Sequence, residues 1–184
     1  MSELYKNKYK ITSNRLQGYD YASEGAYFIT VCTAKHICEF GEIVNSEMLL
    51  NDYGKIIQTE WFKTEQIRKN VSLGAFCVMP NHFHTVFFID NPVLPQENNK
   101  IPQTFGYKNS FGRQKNNTAS VIAGFKAACT KQIIQAGNKS FVWQQNYYDR
   151  IIRNQNELTK IENYIRSNPQ NWETDDFFVL KKSE

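Results

Sequence analysis

Long apolar runs are missing from this sequence, and so are paired cysteines, a signal-peptide core and internal repeats. No stretch approaches the roughly 18 apolar residues of a membrane-spanning helix, so no contact with a membrane is expected. Residues 1–10 are polar and lysine-rich, without the apolar core of a secretory signal. Four cysteines, Cys32, Cys38, Cys77 and Cys129, form no Cys-x-x-Cys pair and lie mostly in apolar segments. They read as reduced, packed thiols, which argues against a disulfide scaffold and for a cytoplasmic protein. Acidic side chains are absent from 98 to 148, where Lys100, Lys108, Arg113, Lys115, Lys126, Lys131 and Lys139 all fall. The net charge of only +4, from 22 Lys and Arg against 18 Asp and Glu, hides this local basic field. Such a field suits a phosphate backbone, although a solvated lysine-rich face has the same composition.

What is present fits one domain over residues 1–184, long enough to bury a core without disulfides. Residues 1–20 form a basic arm containing Arg15. Residues 26–33 are dense in strand formers and predict a first long strand buried on both faces. Residues 40–44, followed by Asn45-Ser46, predict a short hairpin strand. Apolar residues recur at helical spacing from 50 to 68, with Asn51 or Asp52 as the amino-terminal cap. Residues 73–79 read as the second core strand. Proline, glycine, asparagine and glutamine crowd 90–117, so a long mobile loop is expected there.

A helix follows over 120–136, with Val121, Phe125, Ala128, Ile133 and Ile134 as its apolar face and Gly137-Asn138 as its stop. In 141–153 a strand is expected near the start and a turn afterwards. The last helix, 157–168, buries Leu158, Ile161 and Ile165, takes its cap from Asn154 or Asn156 and ends at Pro169. Strand, helix, two strands, helix, strand predicts an α+β fold: a ferredoxin-like antiparallel sheet with helices packed on one face, plus a carboxyl-terminal helix.

Two of the three histidines lie in Met79-Pro80-Asn81-His82-Phe83-His84, which runs into an apolar strand. Side chains two apart on a strand share a face and stand roughly 7 Å apart, so His82 and His84 can converge on one cation while Phe83 packs behind. An arbitrary His-x-His is also an ordinary surface pattern. On the last helix Tyr164 and Asn168 are one turn apart, which by itself describes a surface hydrogen-bonding pair better than a reactive site.

These stretches occur with Gly18-Tyr19-Asp20-Tyr21, with Tyr27-Phe28-Ile29-Thr30, with Val142-Trp143-Gln144-Gln145-Asn146-Tyr147-Tyr148-Asp149-Arg150-Ile151-Ile152-Arg153-Asn154, and with Tyr164-Ile165-Arg166-Ser167-Asn168-Pro169. Together they resemble the motifs of the REP-associated tyrosine transposases, single-strand transposases of the His-hydrophobe-His nuclease group. The resemblance spans residues 18–172. It implies a metal-dependent single-stranded DNA endonuclease and strand transferase acting on hairpin DNA. Tyr164 would be the nucleophile, forming a 5′-phosphotyrosine, and His82, His84 and Asn168 the metal ligands.

The residue types suit that chemistry. A tyrosine hydroxyl attacking phosphorus keeps the bond energy in a linkage that a 3′-hydroxyl can reverse. Neutral imidazoles and an amide oxygen suit Mg²⁺ or Mn²⁺, and no cysteine cluster favours zinc. Arg15, Lys126, Lys131, Trp143, Arg150 and Arg153 are the expected DNA contacts, on a monomer or homodimer. Tyr147 and Tyr148 are rival tyrosines, read as packing or stacking groups, and His36 as a loop histidine without chemistry. Two other functions remain open in the sequence: a non-catalytic nucleic-acid-binding module, and a metal-dependent nuclease that uses water in place of Tyr164.

Overall fold

The computed structural model describes Leu4–Tyr5, Tyr9–Lys10, residues 24–90 and residues 117–179. Most of the arm expected over 1–20, Arg15 included, and nearly all of the loop expected over 90–117 lie outside the described residues. Within the arm, β1 (Leu4–Tyr5) and β2 (Tyr9–Lys10) pair antiparallel.

The first long strand, β3, is Gly25–Cys32. A hairpin follows, β4 (Gly41–Val44) and β5 (Glu47–Leu50), whose two turn residues Asn45 and Ser46 have φ of 51° and 65°. That left-handed pair is the turn whose twist matches two antiparallel strands. Helix α1 (Asp52–Ile67) starts where the Asn51 side chain accepts a hydrogen bond from the Gly54 N–H at 2.9 Å. A side chain at Gly54 would strike the Phe40 carbonyl, so only glycine lets the helix start lie this close to the chain entering the hairpin.

Strands β6 (Val71–Val78) and β7 (His82–Ile89) come next, then helix α2 (Thr118–Gln135), capped by Asn117 and stopped at Gly137 with φ 114°. Strand β8 (Tyr148–Ile152) and helix α3 (Gln155–Ser167), capped by Asn154, complete the fold. A 3₁₀ turn over Pro169–Thr174 closes it.

The long strands form one sheet in the order β6-β7-β3-β8, every neighbouring pair antiparallel. This is the expected ferredoxin-like arrangement, an α+β fold. Alternation on β7 divides the molecule into two layers. Phe83, Phe87 and Ile89 enter the larger core with Trp61 of α1 and Phe125 of α2. His82, His84, Val86 and Phe88 face the other way, and Val86 and Phe88 pack with Ile165, Leu158 and Ile161 of α3. The two sheet faces therefore carry different work: α1 and α2 build stability on one, and α3 meets the histidines on the other.

The sequence reading needs correction at two elements. In 141–153 the strand lies at the end, Tyr148–Ile152, and not near the start. Phe141 and Trp143 are drawn into the core beside Phe40, leaving one isolated bridge from Thr33 to Trp143, whereas the alternating residues that follow suit the edge of β3. On α2 the buried stripe includes Ile122 and Cys129, while Ile134 is 41% exposed.

Candidate active site

Register across the sheet sets the floor of the site. Cys32 stands opposite His82 and Thr30 opposite His84, so β3 backs both imidazoles. The rings are buried, with centroids 4.4 Å apart. Each has a neighbour at Nδ1: the Asn81 Oδ1 lies 2.8 Å from His82, and the Thr30 Oγ1 lies 2.8 Å from His84. Burial pushes the pKa of His82 down to about 3, opposed by the facing Asn168. Burial also holds His84 well below its ordinary value, helped by its neighbour His82 and opposed by Asp175. Both rings are therefore uncharged at neutral pH, the form that offers a lone pair to a metal ion.

Helix α3 brings Tyr164 to the same place. Its hydroxyl is 3.2 Å from His84 Nε2, and its ring stands edge-on to Phe28 at 6.2 Å. The side chain is 44% exposed, so the phenol borders both the buried histidines and solvent. Burial, and then the charge of Asp175, raise its pKa, so the resting group is the protonated phenol.

Asn168, one turn on, is 2% exposed and its Nδ2 lies 3.3 Å from Asp175 Oδ2. Its Oδ1 is buried without a hydrogen-bond partner, and so is His82 Nε2. Buried polar atoms rarely go unpaired, and an acceptor oxygen beside a ring nitrogen in this state is what a cation would satisfy. Asp175 adds the charge: its carboxylate oxygen and one ring nitrogen each of His82 and His84 lie within 4.8 Å of one another. Two imidazoles, an amide oxygen and a carboxylate could together hold a divalent metal ion.

In the sequence Asp175 belongs to a carboxyl-terminal tail with no evident partner, and nothing there assigns it to the site. It sits beyond Pro169, off any periodic element, and only the 3₁₀ turn around Trp172 returns it to the histidines. The same turn brings Phe177, whose ring lies 4.8 Å from His82, 6.3 Å from His84 and 5.4 Å from His36. His36 is thus closer to the site than a plain loop histidine. A cleft of about 620 Å³ opens beside it, between Asn45-Ser46, Pro80, Trp172 and Phe178.

The expected DNA contacts separate in space. Arg150 lies on β8 opposite Phe28, on the histidine side of the sheet, and pairs with Glu157, its Nε 2.7 Å from Oε1. Arg153 is exposed beside it, and its main-chain N–H also donates to Glu157. Tyr148 is exposed on the same side, edge-on to Phe28 at 6.1 Å. Lys126 and Lys131 belong to α2, which packs on the other face. The Lys126 ammonium donates to the Gln144 carbonyl at 2.6 Å, and burial lowers its pKa, while Lys131 is exposed. Trp143 is corrected to a core residue: it is 8% exposed among Phe40, Phe125 and Phe141, with its indole N–H donated to the Lys126 carbonyl, so its ring faces are unavailable to bases. Arg15 lies outside the described residues.

No protein-family model matches the chain. An uncharacterized protein of Haemophilus influenzae is 35% identical over 174 residues, covering 91% of this chain and 92% of the relative. Among solved structures, a REP-associated tyrosine transposase bound to a REP hairpin superposes with a TM-score of 0.54 at 17% identity, covering 85% of this chain and 74% of that one. This likeness is one of fold.

Proposed function

From its membership of one family with the Haemophilus influenzae protein, its fold shared with a REP-associated tyrosine transposase and the convergence of His82, His84 and Tyr164, we propose that this chain is a metal-dependent single-stranded DNA endonuclease and strand transferase. The observation that carries the reading is the Tyr164 hydroxyl 3.2 Å from His84 Nε2, with His82 against the same ring. A nucleophile and a ligand nitrogen at that separation belong to one reaction centre.

In this reading Tyr164 attacks the scissile phosphorus of a strand at the foot of a DNA hairpin. The bond from phosphorus to the 3′-oxygen breaks, that oxygen leaves as a hydroxyl with a proton equivalent to the one the phenol gives up, and the 5′-phosphate stays on Tyr164. Return of a 3′-hydroxyl reverses the step and joins strands. His82, His84 and Asn168, together with Asp175, would hold Mg²⁺ or Mn²⁺, which when bound would supply Lewis-acid polarisation of the phosphate and screen its charge. Arg150 and Arg153 contact phosphates beside the site, and Tyr148 offers a ring for a base to stack on. Lys131 is proposed as a more distant contact, and Arg15, outside the described residues, as a further one. The cleft at Asn45-Ser46 and Trp172 gives a flanking nucleotide room. The protein acts in the cytoplasm as a monomer or homodimer, and the side chains that converge on the site come from one chain.

The test is incubation of the protein with labelled hairpin DNA drawn from the sequence flanking its own gene, with Mg²⁺ or Mn²⁺, on denaturing gels. A covalent adduct that survives denaturation is expected for wild type and not for Tyr164→Phe or for His82→Ala/His84→Ala. Cleavage that persists in Tyr164→Phe without an adduct would identify water as the nucleophile. Binding without cleavage would identify a non-catalytic module.

A further inference from the structure

We propose that Asn81 is a positioning residue: its carboxamide fixes His82 with the proton on Nδ1 and so turns the lone pair of Nε2 into the site. The inference rests on the metal-site reading above only for what the lone pair is used for.

The argument is one of hydrogen-bond direction. Asn81 is fully buried. Its Nδ2 donates to the His36 carbonyl at 3.0 Å and to the Phe177 carbonyl at 2.8 Å. Main-chain carbonyls only accept, so the amide cannot be turned over without facing oxygen with oxygen. The Oδ1 is thereby directed at His82 Nδ1, 2.8 Å away. An amide oxygen also only accepts, so the proton must be on Nδ1. A neutral imidazole carries one N–H, which leaves Nε2 with its lone pair, buried and turned to the Asn168 side of the site.

Asn81 itself has no freedom to turn away, because its carbonyl accepts from the Thr33 N–H at 2.9 Å and the Thr33 hydroxyl at 3.0 Å. His84 is different. It lies between the hydroxyls of Thr30 and Tyr164, each able to donate or accept, so neither imposes a tautomer. Of the two histidines, His82 is the one the protein holds ready. The residue type follows: aspartate would keep the acceptor and lose both donations, and alanine would lose all three bonds.

The experiment is long-range ¹H–¹⁵N correlation on the full-length, metal-free protein with labelled histidine at pH 8, beside calorimetric titration with Mn²⁺. Wild type is expected to show His82 protonated at Nδ1. Asn81→Ala should show a mixture of tautomers and bind Mn²⁺ about 10- to 100-fold more weakly, the usual loss when a group that orients a ligand is removed. Asn81→Asp should restore the Nδ1–H form. A proton on Nε2 in wild type would overturn the proposal whether or not the variants fold. So would an Asn81→Ala protein that keeps both the Nδ1–H form and the Mn²⁺ affinity. A wild-type protein with the Nδ1–H form and no affinity for Mn²⁺ would uphold the assignment of Asn81 and overturn the metal-site reading instead.

Discussion

His82 and His84 show what burying an imidazole does before any ligand arrives. Folded, they titrate far below their ordinary value, His82 at about 3, because burial disfavours the charged ring; in the unfolded chain the value is 6.5. Above pH 6.5 both states are neutral and the folded form keeps its full stability. As pH falls below 6.5, the unfolded chain takes up protons that the folded one cannot, so stability declines, for His82 down to about pH 3. Urea unfolding at pH 7 and pH 5 should show this loss in wild type and a flatter response in His82→Gln/His84→Gln; equal slopes would contradict the burial argument. A second contrast concerns the oxygens. Asp175 brings a full negative charge and Asn168 a neutral dipole to the same cluster. Hard divalent ions favour charged oxygen, so Asp175→Asn should weaken Mn²⁺ binding more than Asn168→Ala, as read by calorimetry. The reverse order would make Asn168 the principal oxygen ligand.

At the scale of elements, the segment after α3 has two opposing effects. It supplies Asp175, yet the Phe177 ring packs 4.8 Å from His82 and its carbonyl is held by Asn81, so this ring narrows the approach to His82. Phe177→Ala removes the ring and leaves Asp175 in place. One aromatic contact is worth about 1 kcal/mol, so adduct formation should become roughly fivefold faster, measured as a rate on single-stranded hairpin DNA. A slower reaction would assign Phe177 to substrate positioning. The sequence marks this segment only as a tail with an aromatic run and no evident partner, whereas β7 and α3 were legible in detail. Alternation of Phe83 and Phe87 against His82 and His84 fixes a strand with one wet-chemistry face, and Asn154, Leu158, Ile161, Ile165 and Pro169 mark a helix from cap to stop. Such local patterns carry their own geometry. Asp175 and Phe177 depend instead on how a non-repetitive turn folds back, as does Trp143, whose aromatic run looked like a strand until the core beside Phe40 claimed it.

For the molecule as a whole, the sheet works as a partition. Phe83, Trp61 and Phe125 stabilise one side, and β7 presents its histidines to α3 on the other, so Tyr164 and the two histidines come from elements far apart in sequence but adjacent in a single chain. The Tyr164 hydroxyl reaches His84 without a second copy, which makes the site complete in one protomer. Under the proposed reading, catalysis in cis would have a direct consequence for mixtures. If Tyr164 served a neighbouring subunit, mixing Tyr164→Phe with His82→Ala/His84→Ala would reconstitute some sites from one intact nucleophile and one intact ligand pair. With both halves drawn from the same chain, every protomer in the mixture is defective in one half. The mixture should therefore form no more covalent adduct on hairpin DNA than either variant alone. Recovery towards a quarter or more of wild-type adduct would instead require α3 to be exchanged between two copies, with the hydrogen bond from Tyr164 to His84 broken and remade across a dimer.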